Sequence, residues 1–94
     1  MQIAGHEYKF KARVPMKDAR NGLRLIDAVK GKMFEYLDPE TKEDKLEELE
    51  ALWREFCVVA VESPESMPHV GTVDPAEVAE CLMGFTKARS TMSA

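Results

Sequence analysis

Between residues 8 and 13 apolar and charged positions alternate: Tyr8, Phe10 and Ala12 are separated by Lys9, Lys11 and Arg13. A period of two predicts a half-buried strand. Ile3 and Ala4 precede Gly5, whose tolerance of positive φ suits a tight turn, so a short β-hairpin is expected over residues 1–14. Two strands alone are marginal in water, so this pair must lie on helices or on another chain's edge. Pro15, with no N–H to donate, ends the strand and fits the start of a helix.

The period then changes. Ala19, Leu23, Ile26, Val29 or Lys30, Met33 and Leu37 recur at steps of three and four, which predicts a helix over 16–37 with one apolar stripe. Leu25 and Phe34 lie off the centre of that stripe and widen it. Gly22 and Gly31 each weaken such a helix by about 1 kcal/mol relative to alanine. Either one can mark a close packing contact or a kink. Asp38-Pro39 closes this helix and can start the next, expected over 39–62, with Leu46, Leu49, Trp53, Phe56 and Ala60 on one face. The run "CVVAV" suits a buried strand in isolation, but its continuity with the helical period favours the end of this long helix. Pro64, Pro68 and Gly71 make 63–73 a loop. Asp74-Pro75-Ala76-Glu77 is a strong helix start, with a capping aspartate, proline at the first helical position and a glutamate three residues on. That helix is expected over 75–89, with Val78, Cys81, Leu82 and Phe85 as its apolar face and 90–94 as a fraying tail.

The pattern therefore predicts a mainly α single domain, a short N-terminal β-hairpin followed by a three-helix bundle. Val78, Leu82 and Phe85 are expected to pack against Leu49, Trp53 and Phe56. The two long stripes offer more apolar surface than a third helix of about 15 residues covers, and spare apolar area marks a partner site. Leu25 and Phe34 are expected to face that partner, with Tyr8, Phe10 and Trp53 as further candidates. For Trp53, the core of the bundle is the plainer role and a partner contact at its rim the alternative.

Composition and charge refine this picture. The 94 residues are 45% hydrophobic and 32% charged, as in ordinary globular chains. There is no apolar run long enough to span a membrane, and "MQIAGHEYKFKARV" has no signal-peptide core. Residues 1–32 hold eight Lys or Arg against three acids, a net of +5, while the rest of the chain carries −9. Such asymmetry fits a solvated surface, salt-sensitive self-association of basic end with acidic middle, or, least well, nucleic acid. Tyr8 and Phe10 alternate as a buried strand face does, rather than as a stacking platform, so no nucleic-acid partner is expected.

Chemistry is sparse. Cys57 and Cys81 sit inside apolar helical patterns and are expected to be buried free thiols. With His6 and His69 they lack the close pairs that zinc sites use, so no metal is expected. The five glycines are isolated, which leaves no phosphate loop and no cofactor site. The acids of "EDKLEELE" alternate with Lys42, Lys45 and Arg54 as on a solvated helix face. No catalytic set stands out.

The order of parts resembles the small tail assembly chaperones of long-tailed bacteriophages. The resemblance rests on the strand pair "QIAGHEYKFKARVP", the lead into the first helix "VPMKDARNGLRLI", the aromatic stretch "ALWREFCVVAVES", and a Pro/Gly-rich loop before "DPAEV" and "ECLMGF". It is one of layout over nearly the whole chain. It implies a non-enzymatic chaperone that coats the tape-measure protein while tail-tube subunits polymerise around it. Such a protein acts in the cytoplasm of the bacterial host and is absent from the finished virion. It also implies tape-measure and tail-tube proteins as partners. An alternative is a small inhibitor or adaptor that blocks one host protein through the acidic second helix. A third is an inert structural virion component.

Overall fold

The computed structural model describes residues 1–91. Strands β1 (Gln2–Ile3) and β2 (His6–Glu7) form an antiparallel hairpin, followed by helices α1 (Met16–Leu37), α2 (Lys45–Ala60) and α3 (Pro75–Thr91). Short 3₁₀ turns at Pro64–Ser66 and Val70–Thr72 shape the connection between α2 and α3. The mainly helical architecture with a small N-terminal hairpin is the one its periodicity predicts. Residues 92–94 of the expected tail lie outside the described residues, and α3 continues to Thr91 rather than stopping at 89.

The hairpin is smaller than the alternation suggests. Gln2 pairs with Glu7 and Ile3 with His6, leaving a two-residue turn at Ala4-Gly5. Both turn residues have positive φ, 49° and 82°, the signature of a type I′ turn. Glycine adopts this freely, whereas Ala4 carries strain there. The Ala4 N–H donates to Glu77 Oε2 at 2.9 Å, so the first turn of α3 holds the hairpin in place. Beyond Glu7 the chain does not continue as a strand pair. Phe10 forms one antiparallel bridge with Val61, through Lys11 N–H to Ala60 O at 2.8 Å and Glu62 N–H to Lys9 O at 3.0 Å. The run "CVVAV" is thus both things at once: helical through Ala60, then extended at Val61.

Helix α2 begins at Lys45, six residues later than the expected 39. Asp38 makes an Asx turn, accepting from Glu40 N–H at 3.0 Å, and Thr41 Oγ1 donates back to Glu35 O at 2.7 Å. The acidic stretch before Lys45 has no large apolar side chain to bury, so nothing draws it into the helix. The first buried residue of α2 is Leu49.

The core joins all three helices. Trp53, Phe56, Cys57 and Ala60 of α2, Val29 of α1, Cys81 and Phe85 of α3, and Ile3 of β1 are all 0% exposed. Phe85 meets Phe56 and Phe10 edge to face, with ring centroids 5.6 and 6.0 Å apart. The loop between α2 and α3 is braced by α2. Trp53 Nε1–H donates to Pro68 O, Arg54 Nη1–H to Pro64 O and Met67 O, and Glu50 Oε1 accepts from Val70 N–H.

The buried stripe of α1 is Gly22, Leu25, Ile26, Val29 and Met33, which corrects the expected one. Leu23 and Leu37, expected inside, are 42% and 48% exposed, and Leu25, expected outside, is 2% exposed. Gly22 sets this rotation. A Cβ added there would stand 3.0 Å from Phe85 Cε1 and 3.1 Å from Val59 Cγ1, so any larger residue would need these side chains to give by a few tenths of an ångström. Turning Gly22 inward carries Leu25 and Val29 in with it and turns Leu23, Phe34 and Leu37 out.

Candidate functional site

That rotation leaves α1 with an apolar ridge on its outer side. Met16, Leu23, Phe34 and Leu37 are 88%, 42%, 65% and 48% exposed. Arg20, Asp27 and Lys30 fill the remaining positions of the ridge, all exposed. Leu23 to Leu37 spans about 21 Å of helix at 1.5 Å per residue. The ridge exists because α1 has two adjacent apolar stripes and α2 with α3 covers only one of them.

Beside the ridge, α1 and α3 diverge into a shallow apolar groove of about 270 Å³, lined by Ile26, Lys30, Ala79, Leu82, Met83, Thr86 and Lys87. Met83, 57% exposed, forms its outer wall. A second hollow of about 190 Å³ lies where Met33, Tyr36 and Leu37 meet Leu46, Val73 and Val78. Leu37 borders this hollow and Lys30 borders the first. Ridge and hollows thus adjoin as a largely apolar band, interrupted by Asp27 and Lys30.

The five sequence-predicted partner residues do not form one surface. Phe34 lies on the ridge. Leu25 is a core residue, so its expected role as an outward contact is withdrawn. Trp53 is fully buried with its indole N–H satisfied at Pro68 O, 3.2 Å away. Tyr8 is 8% exposed and packs edge to face with the half-buried Phe10, the centroids 5.5 Å apart. Leu23 and Leu37 are residues that the sequence pattern assigns to the interior and the fold places outside. The signal that points to them is the pair of equally good stripes on α1.

The charges around the band are uneven. Lys17, Arg20 and Arg24 flank Leu23 on the N-terminal half of α1. The solvent face of α2 carries Glu47, Glu48, Glu55 and the 57% exposed Val58. Lys32 and then Lys45 hold the Glu48 carboxyl below its ordinary range, each ammonium 3.4 Å away. Being exposed, these pairs contribute little to stability.

The thiols are silent at neutral pH. Burial first, then the neighbouring Cys81, pushes Cys57 up to about 12. Burial pushes Cys81 up to about 11, although the Tyr8 hydroxyl beside it favours the thiolate. Burial likewise raises the Tyr8 phenol. Burial thus holds both thiols in the protonated form at neutral pH, whereas the reactive form is the thiolate. Among the described residues no three His, Cys, Asp or Glu side chains lie together as metal ligands, and no helix is long and apolar enough to cross a membrane.

Comparisons with protein-family models, with curated proteins and with solved structures find no match to this chain.

Proposed function

We propose that the chain is a non-enzymatic tail assembly chaperone of a long-tailed phage. It covers apolar helical surface of the tape-measure protein in the host cytoplasm, helps recruit tail-tube subunits and leaves before the virion is complete. The observation that supports this reading is the exposed ridge of Leu23, Phe34 and Leu37 beside the Met83 groove. It is exposed apolar surface, interrupted on α1 by Asp27 and Lys30, on a protein whose own core is already closed. A long helical protein awaiting its tube has matching apolar faces that need temporary cover, and a helix laid along the band supplies contacts every third or fourth residue.

Co-expression tests it. The chain with a tape-measure segment should keep that segment in the supernatant, and the double variant Phe34→Ser, Leu37→Ser should fold yet release it to the pellet. A tape-measure segment that is equally soluble with and without the chain would overturn the proposal. One observation favours a different reading, that of an inhibitor acting through α2: Val58 stands exposed between Glu55 and Glu62, with Lys11 Nζ donating to its carbonyl at 2.7 Å. Under that reading Val58→Asp abolishes the activity and the ridge variants do not.

A further inference from the structure

The ridge on α1 has a pattern of its own. Met16, Arg20, Leu23, Asp27, Lys30, Phe34 and Leu37 follow one another at alternating steps of four and three. This is the spacing of a coiled-coil seam. Every one of them is exposed. Asp27 and Lys30 lie three apart on one helix, where such residues are neighbours. Yet among the described residues neither has an ion-pair partner within the chain.

We infer that two copies of this chain pair through α1, antiparallel, about a two-fold axis at the middle of the helix. In an antiparallel seam the two kinds of seam position face each other. With Asp27 set opposite Lys30 of the second copy, the same register sets Leu23 opposite Phe34 and Arg20 opposite Leu37. The two-fold axis then repeats each pair. The centre of the seam reads Leu–Phe, Asp–Lys, Lys–Asp, Phe–Leu, self-complementary in charge and bulk as an isologous contact requires, with an Arg20–Leu37 pair at either end. The flanks agree. The antiparallel arrangement sets Lys17, Arg20 and Arg24 of one copy beside the end of the other that carries Glu35, Asp38 and Glu40. A parallel pair in register would set Asp27 against Asp27 and Lys30 against Lys30, and the contact selects against it by repulsion. The second copy therefore covers the ridge whenever no other helix does. This inference rests on the ridge's own sequence and not on what else binds there.

Charge exchange tests it, read by sedimentation velocity over a range of protein concentration at low and moderate salt. The parent should form dimers, more weakly as salt rises. Asp27→Lys alone and Lys30→Asp alone should each weaken dimerisation by about tenfold or more, because each places like charges opposite twice. An equimolar mixture of these two variants should dimerise, since one chain then presents two ammonium groups at the centre of the seam and the other presents two carboxylates. The double variant Asp27→Lys, Lys30→Asp should regain parent-like dimers. Circular dichroism on each variant confirms that the helices remain. A parent that stays monomeric at millimolar concentration, single variants that dimerise like the parent, or a mixture that stays monomeric would each overturn the pairing. A monomeric parent that still holds a tape-measure segment in solution would overturn it while leaving the chaperone reading intact.

Discussion

Replacing Gly22 and Gly31 in turn by alanine applies one chemical change to two interior positions of one helix, and it should stabilise at Gly31 but be neutral to destabilising at Gly22. Both substitutions gain about 1 kcal/mol of helix propensity. At Gly31 nothing lies within 4 Å of the new Cβ, so that gain stands alone. At Gly22 the new Cβ meets Phe85 Cε1 at 3.0 Å, Phe85 Cζ at 3.1 Å and Val59 Cγ1 at 3.1 Å. Phe85 packs edge to face against Phe56 and Phe10, so giving way to the new Cβ means shifting a buried aromatic cluster. Overpacking of this kind costs about 1–3 kcal/mol, which outweighs the propensity gain over most of that range. In a domain of this size 1 kcal/mol moves the melting temperature by about 4–8 °C. Gly31→Ala should therefore melt several degrees above the parent, and Gly22→Ala at or several degrees below it, in thermal denaturation followed by circular dichroism. Shrinking the obstacle provides the internal check. In the Phe85→Leu background, Gly22→Ala should cost less than in the parent, a coupling that a double-mutant cycle measures directly. Equal stabilisation by both alanines would refute the close-approach explanation of how α1 is turned. So would a Gly22 cost that Phe85→Leu leaves unchanged.

Three further outcomes follow from the same contacts. Phe85→Ala should cost about 3–5 kcal/mol, most of a small domain's stability, because a fully buried ring leaves a cavity; urea denaturation reads this. Glu77→Ala should cost about 1–3 kcal/mol and release the hairpin, because it strips the acceptor from Ala4 N–H. Glu77→Gln, which keeps an oxygen there, should cost less, and hydrogen exchange at Ala4 distinguishes the two. Stability should also fall with alkali. The unfolded thiols ionise near 9 while Cys57 and Cys81 hold their protons to about 12 and about 11. Above pH 9 the folded state binds the extra protons, so each thiol removes about 1.4 kcal/mol of stability per pH unit until its folded value is reached. Substituting both cysteines by alanine should flatten that part of the denaturation profile.

Much of this fold is legible because local signals agree. Asp74-Pro75-Ala76-Glu77 reads as a helix start from sequence, and in the fold Asp74 Oδ1 accepts from Ala76 N–H at 2.8 Å within that turn. The burial of Cys57, Cys81 and Phe85 follows from helical periodicity alone, whereas for Trp53 that periodicity leaves core and partner rim both open. What is not legible depends on which of two faces a helix turns inward. On α1 the set Leu23, Ile26, Met33, Leu37 and the set Leu25, Ile26, Val29, Met33 fit a helical stripe equally well. Only the close contact of Gly22 with Phe85 and Val59, from two other helices, decides between them. The candidate surface escapes the sequence pattern for the same reason. Phe34 reads as outward, but the pattern puts Leu23 and Leu37 in the core and Leu25 on the surface. The late start of α2 and the Phe10–Val61 bridge are likewise settled by partners distant in sequence.

The claim that the α1 ridge and the α1–α3 groove hold a helix of the tape-measure protein is tested most directly by calorimetric titration with a purified helical segment of that protein. The parent is compared with Phe34→Ser, Leu37→Ser and with Met83→Ser, all shown to melt within a few degrees of one another. The account predicts saturable binding by the parent, with a negative heat-capacity change from apolar burial, and loss of at least about tenfold in affinity for each ridge or groove variant. Absence of binding by the parent, or binding by the ridge and groove variants indistinguishable from the parent's, would contradict it.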